Sequence, residues 1–284
     1  MVKARFPRGI EIKTDDQLRT MRRASLVVAR ALREVRAASR AGMSTRQLDD
    51  VAREVLAAEG AGSSFLDYDI GHGIPPYPAV TCVSVNEEIV HGIPGDRVLA
   101  DGDLVSVDFG AVVEGFHGDS AVSFVVGDGE HRERRTLSDD TREALWRGIA
   151  AARIGGTVGD ISWAVESYVR SRPVRYGIVA EYTGHGIGTA MHQPPDVPNL
   201  GRKGRGPTIV RGMCLAIEPM LTLGRATTDV LADDWTVVTA DGSDAAHWEH
   251  TITVTKHGVW VLTADDGGEQ ALGELGIPFG PLSD

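Results

Sequence analysis

Cysteine is nearly absent. Two occur in 284 residues, Cys82 and Cys214, far apart and in no metal-type spacing. That excludes a disulfide framework and points to a reducing compartment, with both thiols expected in the core. Long apolar runs are missing too. No stretch approaches the roughly 20 apolar residues of a membrane span, and the positive charges of MVKARFPRGIEIK have no apolar segment behind them, so a cytoplasmic protein is expected. Positive charge is also scarce, with 29 Lys and Arg against 40 Asp and Glu and a formal net charge of -11. Such a surface displaces no counterions from nucleic acid, so a sequence-independent grip on it is excluded. The basic cluster Arg132, Arg134 and Arg135 reads as a solvated loop answered by Glu130 and Glu133. Absent as well are HExxH, GxSxG and GxxxxGK[ST], and the glycines of GHGIG at 184–188 are wrongly spaced for a dinucleotide loop.

The composition, 42% hydrophobic and 24% charged, suits one large core. Residues 1–13 are read as an N-terminal extension and 14–284 as a single domain. Thr14 with Gln17 resembles a capping box, and Leu18, Met21, Ala24, Val28, Ala31, Leu32 and Val35 then recur at helical spacing. Ser44 or Thr45 caps a second helix carrying Leu48, Val51, Val55 and Leu56, ended by Gly60 and Gly62. A second helical hairpin is predicted from Thr141, broken at Gly155 and Gly156, and resumed through Ile161, Val165 and Val169 up to Pro173. Each hairpin precedes glycine-punctuated segments rich in valine and threonine, which read as strands. The same unit is thus used twice, predicting a pseudo-twofold α+β domain: an antiparallel sheet with two helical hairpins on one face and a cleft where the halves meet.

Acidic residues interrupt the apolar strand patterns. Asp108 lies in LVSVDFG, Asp119 in GFHGDSAVSF beyond a turn at Glu114-Gly115, Glu218 in CLAIEPML and Glu249 in HWEHTITV. Any one of these is ordinarily on a solvated face. Four that converge need compensating positive charge, because burying even one unpaired carboxylate costs several kcal/mol. A pair of divalent cations would supply it. Asp108 and Asp119 are plausible cross-strand neighbours in one hairpin, and His185, among glycines, is a candidate nitrogen ligand.

HGIP at 91–94, DGDLVSVDFG at 101–110, GFHGD at 115–119, GHGIG at 184–188, MHQP at 191–194, AIEPML at 216–221 and WEHT at 248–251 together resemble the type I methionine aminopeptidases, which have the pita-bread fold. The resemblance runs from about residue 14 to residue 263. It implies removal of the initiator methionine from nascent chains, with Asp108, Asp119, His185, Glu218 and Glu249 holding two divalent ions and Asp119 and Glu249 bridging them. One nitrogen and otherwise oxygen suits manganese, iron(II) or cobalt, with zinc and magnesium also admitted. Two-metal logic then has an activated water attack the first peptide carbon. Glu218 is the general base, His192 the donor to the developing oxyanion, and His91 the partner of the scissile amide nitrogen. The methionine pocket implied is Tyr77, Cys82, Met191 and Trp235 together with His91 and His192.

The chain departs from that pattern between Phe65 and Tyr77. LDYDIGHGIPP is about six residues longer than the stretch the resemblance implies, Ile74 stands where an aromatic is expected, and whether Tyr68 reaches the pocket is open. A contact with the ribosome would have to come from the domain itself, and a monomer is expected. The rival readings are a pita-bread proline peptidase, which shares all five ligands and usually carries an extra N-terminal domain, and a non-catalytic relative, marked by loss of ligands. None is lost here.

Overall fold

The computed structural model describes residues 9–71 and 73–282, so the first eight residues of the expected extension lie outside it. Helix α1 (Asp15–Ala38) starts at the predicted capping box: the Gln17 amide donates to Thr14 Oγ1 at 3.3 Å and the Thr14 amide to Gln17 Oε1 at 2.8 Å. Its stripe Leu18, Met21, Ala24, Val28, Ala31, Leu32 and Val35 is buried. Helix α2 (Thr45–Glu59) repeats the device with Ser44 and Gln47 and ends on Gly60 at φ 61°, the left-handed position a side chain disfavours.

Helices α3 (Arg132–Ala151) and α4 (Val158–Ser171) form the second pair. Here the sequence reading is corrected. The helix predicted to open at Thr141 begins nine positions earlier, and the supposed loop Arg132–Arg135 is its first turn. Arg134 does not answer Glu130 or Glu133; it pairs with Asp244 at 2.7 Å and donates to the Gly102 carbonyl at 2.6 Å. The start was hidden because the N-cap, His131, makes no side-chain capping bond and the first turn is basic, against the helix dipole. Tertiary pairing fixes what local chemistry does not.

The first half contributes β1 (Gly62–Ser63), β2 (Thr81–Val85), β3 (Glu88–Val90), β4 (Leu104–Val113) and β5 (Phe116–Val125). Long β4 pairs antiparallel with β1, β2 and β5. Glu114 at φ 50° and Gly115 at φ 78° make the tight turn between β4 and β5. The second half contributes β6 (Gly177–Ile178), β7 (Gly184–Gly186), β8 (Gln193–Val197), β9 (Cys214–Ile217), β10 (Met220–Thr222), β11 (Thr228–Val230), β12 (Val237–Thr239), β13 (Ala245–His247), β14 (His250–Thr255) and β15 (Gly258–Val261). Its main sheet runs β15-β14-β9-β7-β8, antiparallel throughout. Helices α1 and α2 bury their stripes against β2 and β4, and α3 and α4 bury theirs against β9, β14 and β15. A short helix, α5 (Glu269–Glu274), follows.

The halves join along a seam that places the acids. The Glu249 amide donates to the Ala121 carbonyl at 2.9 Å, and Thr251 Oγ1 donates to the Asp119 carbonyl at 2.8 Å. Asp119 and Glu249 are thereby neighbours although they come from different halves.

Candidate metal centre

Strands β4, β5 and β7 and the β9–β10 and β13–β14 junctions deliver the polar residues to one place. In the β4–β5 ladder Asp108 faces Ala121 and Asp119 faces Gly110, so the two carboxylates are diagonal neighbours on one face of the sheet. On β7, His185 sits opposite Ala216, one strand from Glu218. Its flanking glycines are required there: a Cβ at Gly184 would strike the Ala216 carbonyl and one at Gly186 the Pro194 carbonyl, so only glycine lets β7 lie this close to its neighbours. His185 Nε2 stands 3.7 Å from Asp119 Oδ2 and 3.6 Å from Glu218 Oε1. Ligand atoms of Asp119, His185 and Glu249 all lie within 4.8 Å of one another, a grouping able to hold a metal ion.

The electrostatics are those of a set short of positive charge. Burial and the nearby Asp119 and Glu218 push the Asp108 carboxyl well above its ordinary range, and burial with Asp119, Glu218 and Asp108 does the same to Glu249. Asp119 is raised as well, chiefly by burial. For Glu218, burial raises the carboxyl, but His247 and His185 outweigh it and hold it below the usual value. His185 is raised: burial lowers it, and Asp119 and Glu218 more than compensate. Asp108 Oδ1, Asp119 Oδ1 and Glu249 Oε1 are buried without a hydrogen-bond partner. Such oxygens fit cations, and four carboxylates match the charge of two dications.

The same residues line a cavity of about 590 Å³ that extends from the acids into an apolar recess. Tyr77, Cys82, Met191 and Trp235 meet there, with Phe65 and Ala79, and Tyr68, Ile74 and Ile93 pack against them. The Tyr77 hydroxyl lies 3.0 Å from both the Thr81 and the Gly92 carbonyl, and Trp235 Nε1 donates to the Pro75 carbonyl at 2.8 Å. His91 adopts φ 60°, an uncommon left-handed conformation for a non-glycine residue. Its ring is edge-on to Tyr182 and Trp235, and burial lowers its pKa to about 4. His192, though exposed on part of its surface, is also lowered, by partial desolvation in the cavity and then by His185, against which its ring packs at 4.4 Å. Both imidazoles are therefore neutral at neutral pH.

The structure thus lines one cavity with every metal, catalytic and pocket residue named from the sequence, and adds others. Tyr68 does reach in, its hydroxyl 2.6 Å from His192 Nδ1. His247 Nε2, otherwise unpartnered, stands 3.5 Å from Glu218 Oε2. Phe65, Tyr182 and Thr183 line the cavity, and His117 Nδ1 lies 2.9 Å from Ser64 Oγ on the strand that carries Asp119. Position was their only available signal: Tyr182 and Thr183 immediately precede GHGIG, and His247 precedes WEHT.

Comparisons with known proteins agree with this geometry. The sequence model described as "Metallopeptidase family M24" matches residues 19–256. Methionine aminopeptidase 1 of Mycobacterium tuberculosis is 49% identical over 268 residues, 93% of this chain and 98% of the relative, and that of Bacillus subtilis is 42% identical over 88% of this chain and 98% of the relative. The crystal structure of methionine aminopeptidase from Thermotoga maritima superposes with a TM-score of 0.84 at 40% identity, covering 90% of this chain and all of that one. Prolidase from Pyrococcus furiosus shares the fold alone, at TM-score 0.67 and 20% identity, and this chain spans 65% of its length. Fold and centre together are those of a pita-bread metallopeptidase. The chain belongs to metallopeptidase family M24 and, within it, to the methionine aminopeptidases.

Proposed function

We propose that this enzyme removes the initiator methionine from nascent polypeptides by hydrolysing the first peptide bond. The observation that carries the reading is one cavity in which a buried acid cluster with unpartnered oxygens adjoins an apolar recess of the size and softness a methionine side chain needs. Asp108, Asp119, His185, Glu218 and Glu249 would hold two divalent ions. Manganese, iron(II) and cobalt suit this donor set best, and zinc and magnesium are compatible with it. Bound there, the pair supplies Lewis acidity and a water nucleophilic at neutral pH.

The side chains do the rest. Glu218, kept ionised by His247 and His185, takes the proton of the attacking water. Neutral His192 donates a hydrogen bond to the carbonyl oxygen as it gains charge, and His91 serves the departing amide nitrogen. Tyr77, Cys82, Met191 and Trp235 enclose the methionine side chain. Among the described residues no helix is long and apolar enough to cross a membrane. We place the enzyme in the cytoplasm as a monomer that meets its substrates as they leave the ribosome.

The test is an assay of metal-reconstituted enzyme on Met-Ala-X, Ala-Ala-X and X-Pro peptides. Cleavage of Met-Ala-X, with the others at least 10²-fold slower, roughly the discrimination one well-filled side-chain pocket gives, supports the reading. Preference for X-Pro would replace it with the proline peptidase.

A further inference from the structure

Tyr68 lies on the segment where this chain departs from the pattern of the resemblance, and its backbone is firmly placed. Its amide donates to the Phe65 carbonyl, its carbonyl accepts from the Tyr77 amide, and the Asp67 amide donates to the Tyr77 carbonyl, each at 2.9 Å. The half-buried ring meets His192 edge-on at 5.2 Å, and the hydroxyl stands 2.6 Å from Nδ1. His192 thus packs against both Tyr68 and His185.

That hydrogen bond has a chemical consequence. A neutral imidazole carries one N–H and one lone pair, and the two tautomers differ in which nitrogen can donate. If the phenol donates to Nδ1, the ring proton is on Nε2 and available to a substrate oxygen. If Nδ1–H donates to the phenol, Nε2 has only a lone pair and cannot stabilise an oxyanion. The first arrangement is favoured, because a phenol O–H is a stronger donor than an imidazole N–H and an imidazole lone pair a stronger acceptor than a phenol oxygen. We propose that Tyr68 is a positioning residue that fixes His192 as its Nε2–H tautomer and so makes it a donor to the substrate carbonyl. The catalytic half of this statement rests on the role proposed for His192; the tautomer does not.

The test uses two readouts. Long-range proton–nitrogen NMR of 15N-labelled, metal-stripped enzyme should show His192 with an unprotonated Nδ1 and a protonated Nε2, and Tyr68→Phe should shift both nitrogens toward the average of a tautomer mixture. Reconstituted with metal, Tyr68→Phe should keep its metal content and its KM for Met-Ala-X within about twofold while kcat falls about tenfold, as expected when a transition-state donor is present only part of the time. A protonated Nδ1 in the unaltered enzyme, or a Tyr68→Phe enzyme with unchanged nitrogen shifts and kcat, overturns the proposal. So does a rise in KM alone, which would make Tyr68 merely a pocket wall. If the unaltered enzyme fails to cleave Met-Ala-X, the functional reading fails, and the nitrogen shifts still decide the tautomer.

Discussion

Asp108, Asp119, Glu218 and Glu249 make a folded interior that carries more negative charge than its neighbours neutralise, and the consequences are testable one residue at a time. Asp108→Asn or Glu249→Gln removes a charge that two dications need, so both bound metal, read by elemental analysis, and turnover should be lost; either variant at full activity after chelation and reconstitution would contradict the ligand assignment. His91→Ala and His192→Ala should instead retain metal and lose kcat by about 10²-fold, the usual loss when one donor to developing charge is removed. Loss of metal in these variants would make the histidines ligands. At this scale the sequence was informative where a carboxylate broke an apolar strand pattern or a histidine lay inside a matching motif. It left open whether Tyr68 reaches the pocket, because Tyr68 meets His192 only where distant loops converge, and it was silent on His247, whose strand β13 is three residues long and shows no periodicity.

Elements that carry no chemistry should behave differently. Ser44 caps α2 far along the chain from the acids, so Ser44→Ala should cost about 1 kcal/mol, about 2 °C of melting temperature for a chain this long, with kcat unchanged. A larger loss would mean the residue has a tertiary role. Ile70 and Ile74 line the cavity, Ile70 being 42% exposed, and Pro75 accepts from Trp235; all three belong to the longer stretch between Phe65 and Tyr77. Shortening it to the length implied by the resemblance should leave Met-Ala-X turnover within a few-fold. Bulky inhibitors that lean on that stretch should change in affinity about tenfold, for which about 1.4 kcal/mol of altered contact suffices; unchanged potency would make the segment decoration. Helices α1 and α2 were legible because each begins with a capping side chain and continues as an apolar stripe, and α4 because its apolar stripe resumes after a glycine break. The start of α3 was not, since Arg134 is held by Asp244 across the fold rather than by its own helix.

For the molecule as a whole, the acid cluster should couple stability to metal and pH. Asp108, Asp119 and Glu249 have folded-state pKa values raised above their unfolded ones, and so does His185. A raised group contributes stability below its unfolded pKa and loses it as pH rises through the folded value. Glu218, lowered, runs the other way: its contribution is present above its unfolded value and lost as pH falls. His91 and His192, also lowered, gain stability as pH rises in both the metal-stripped and the metal-loaded enzyme, so the effect of the raised acids is read from the comparison of the two forms. Bound ions replace the protons, so the gap in melting temperature between metal-loaded and metal-stripped enzyme should widen with pH. A gap that stays constant would mean the carboxylates are not what the metal neutralises. The twofold plan was readable from repeated helix pairs and strands, but the seam that sets Asp119 beside Glu249 belongs to neither half and needed the folded chain. The most direct measurement of that seam's purpose is anomalous diffraction from crystals equilibrated with manganese. Two strong peaks should appear among Asp108, Asp119, His185, Glu218 and Glu249; no peak there, or ions bound only elsewhere, would contradict the account.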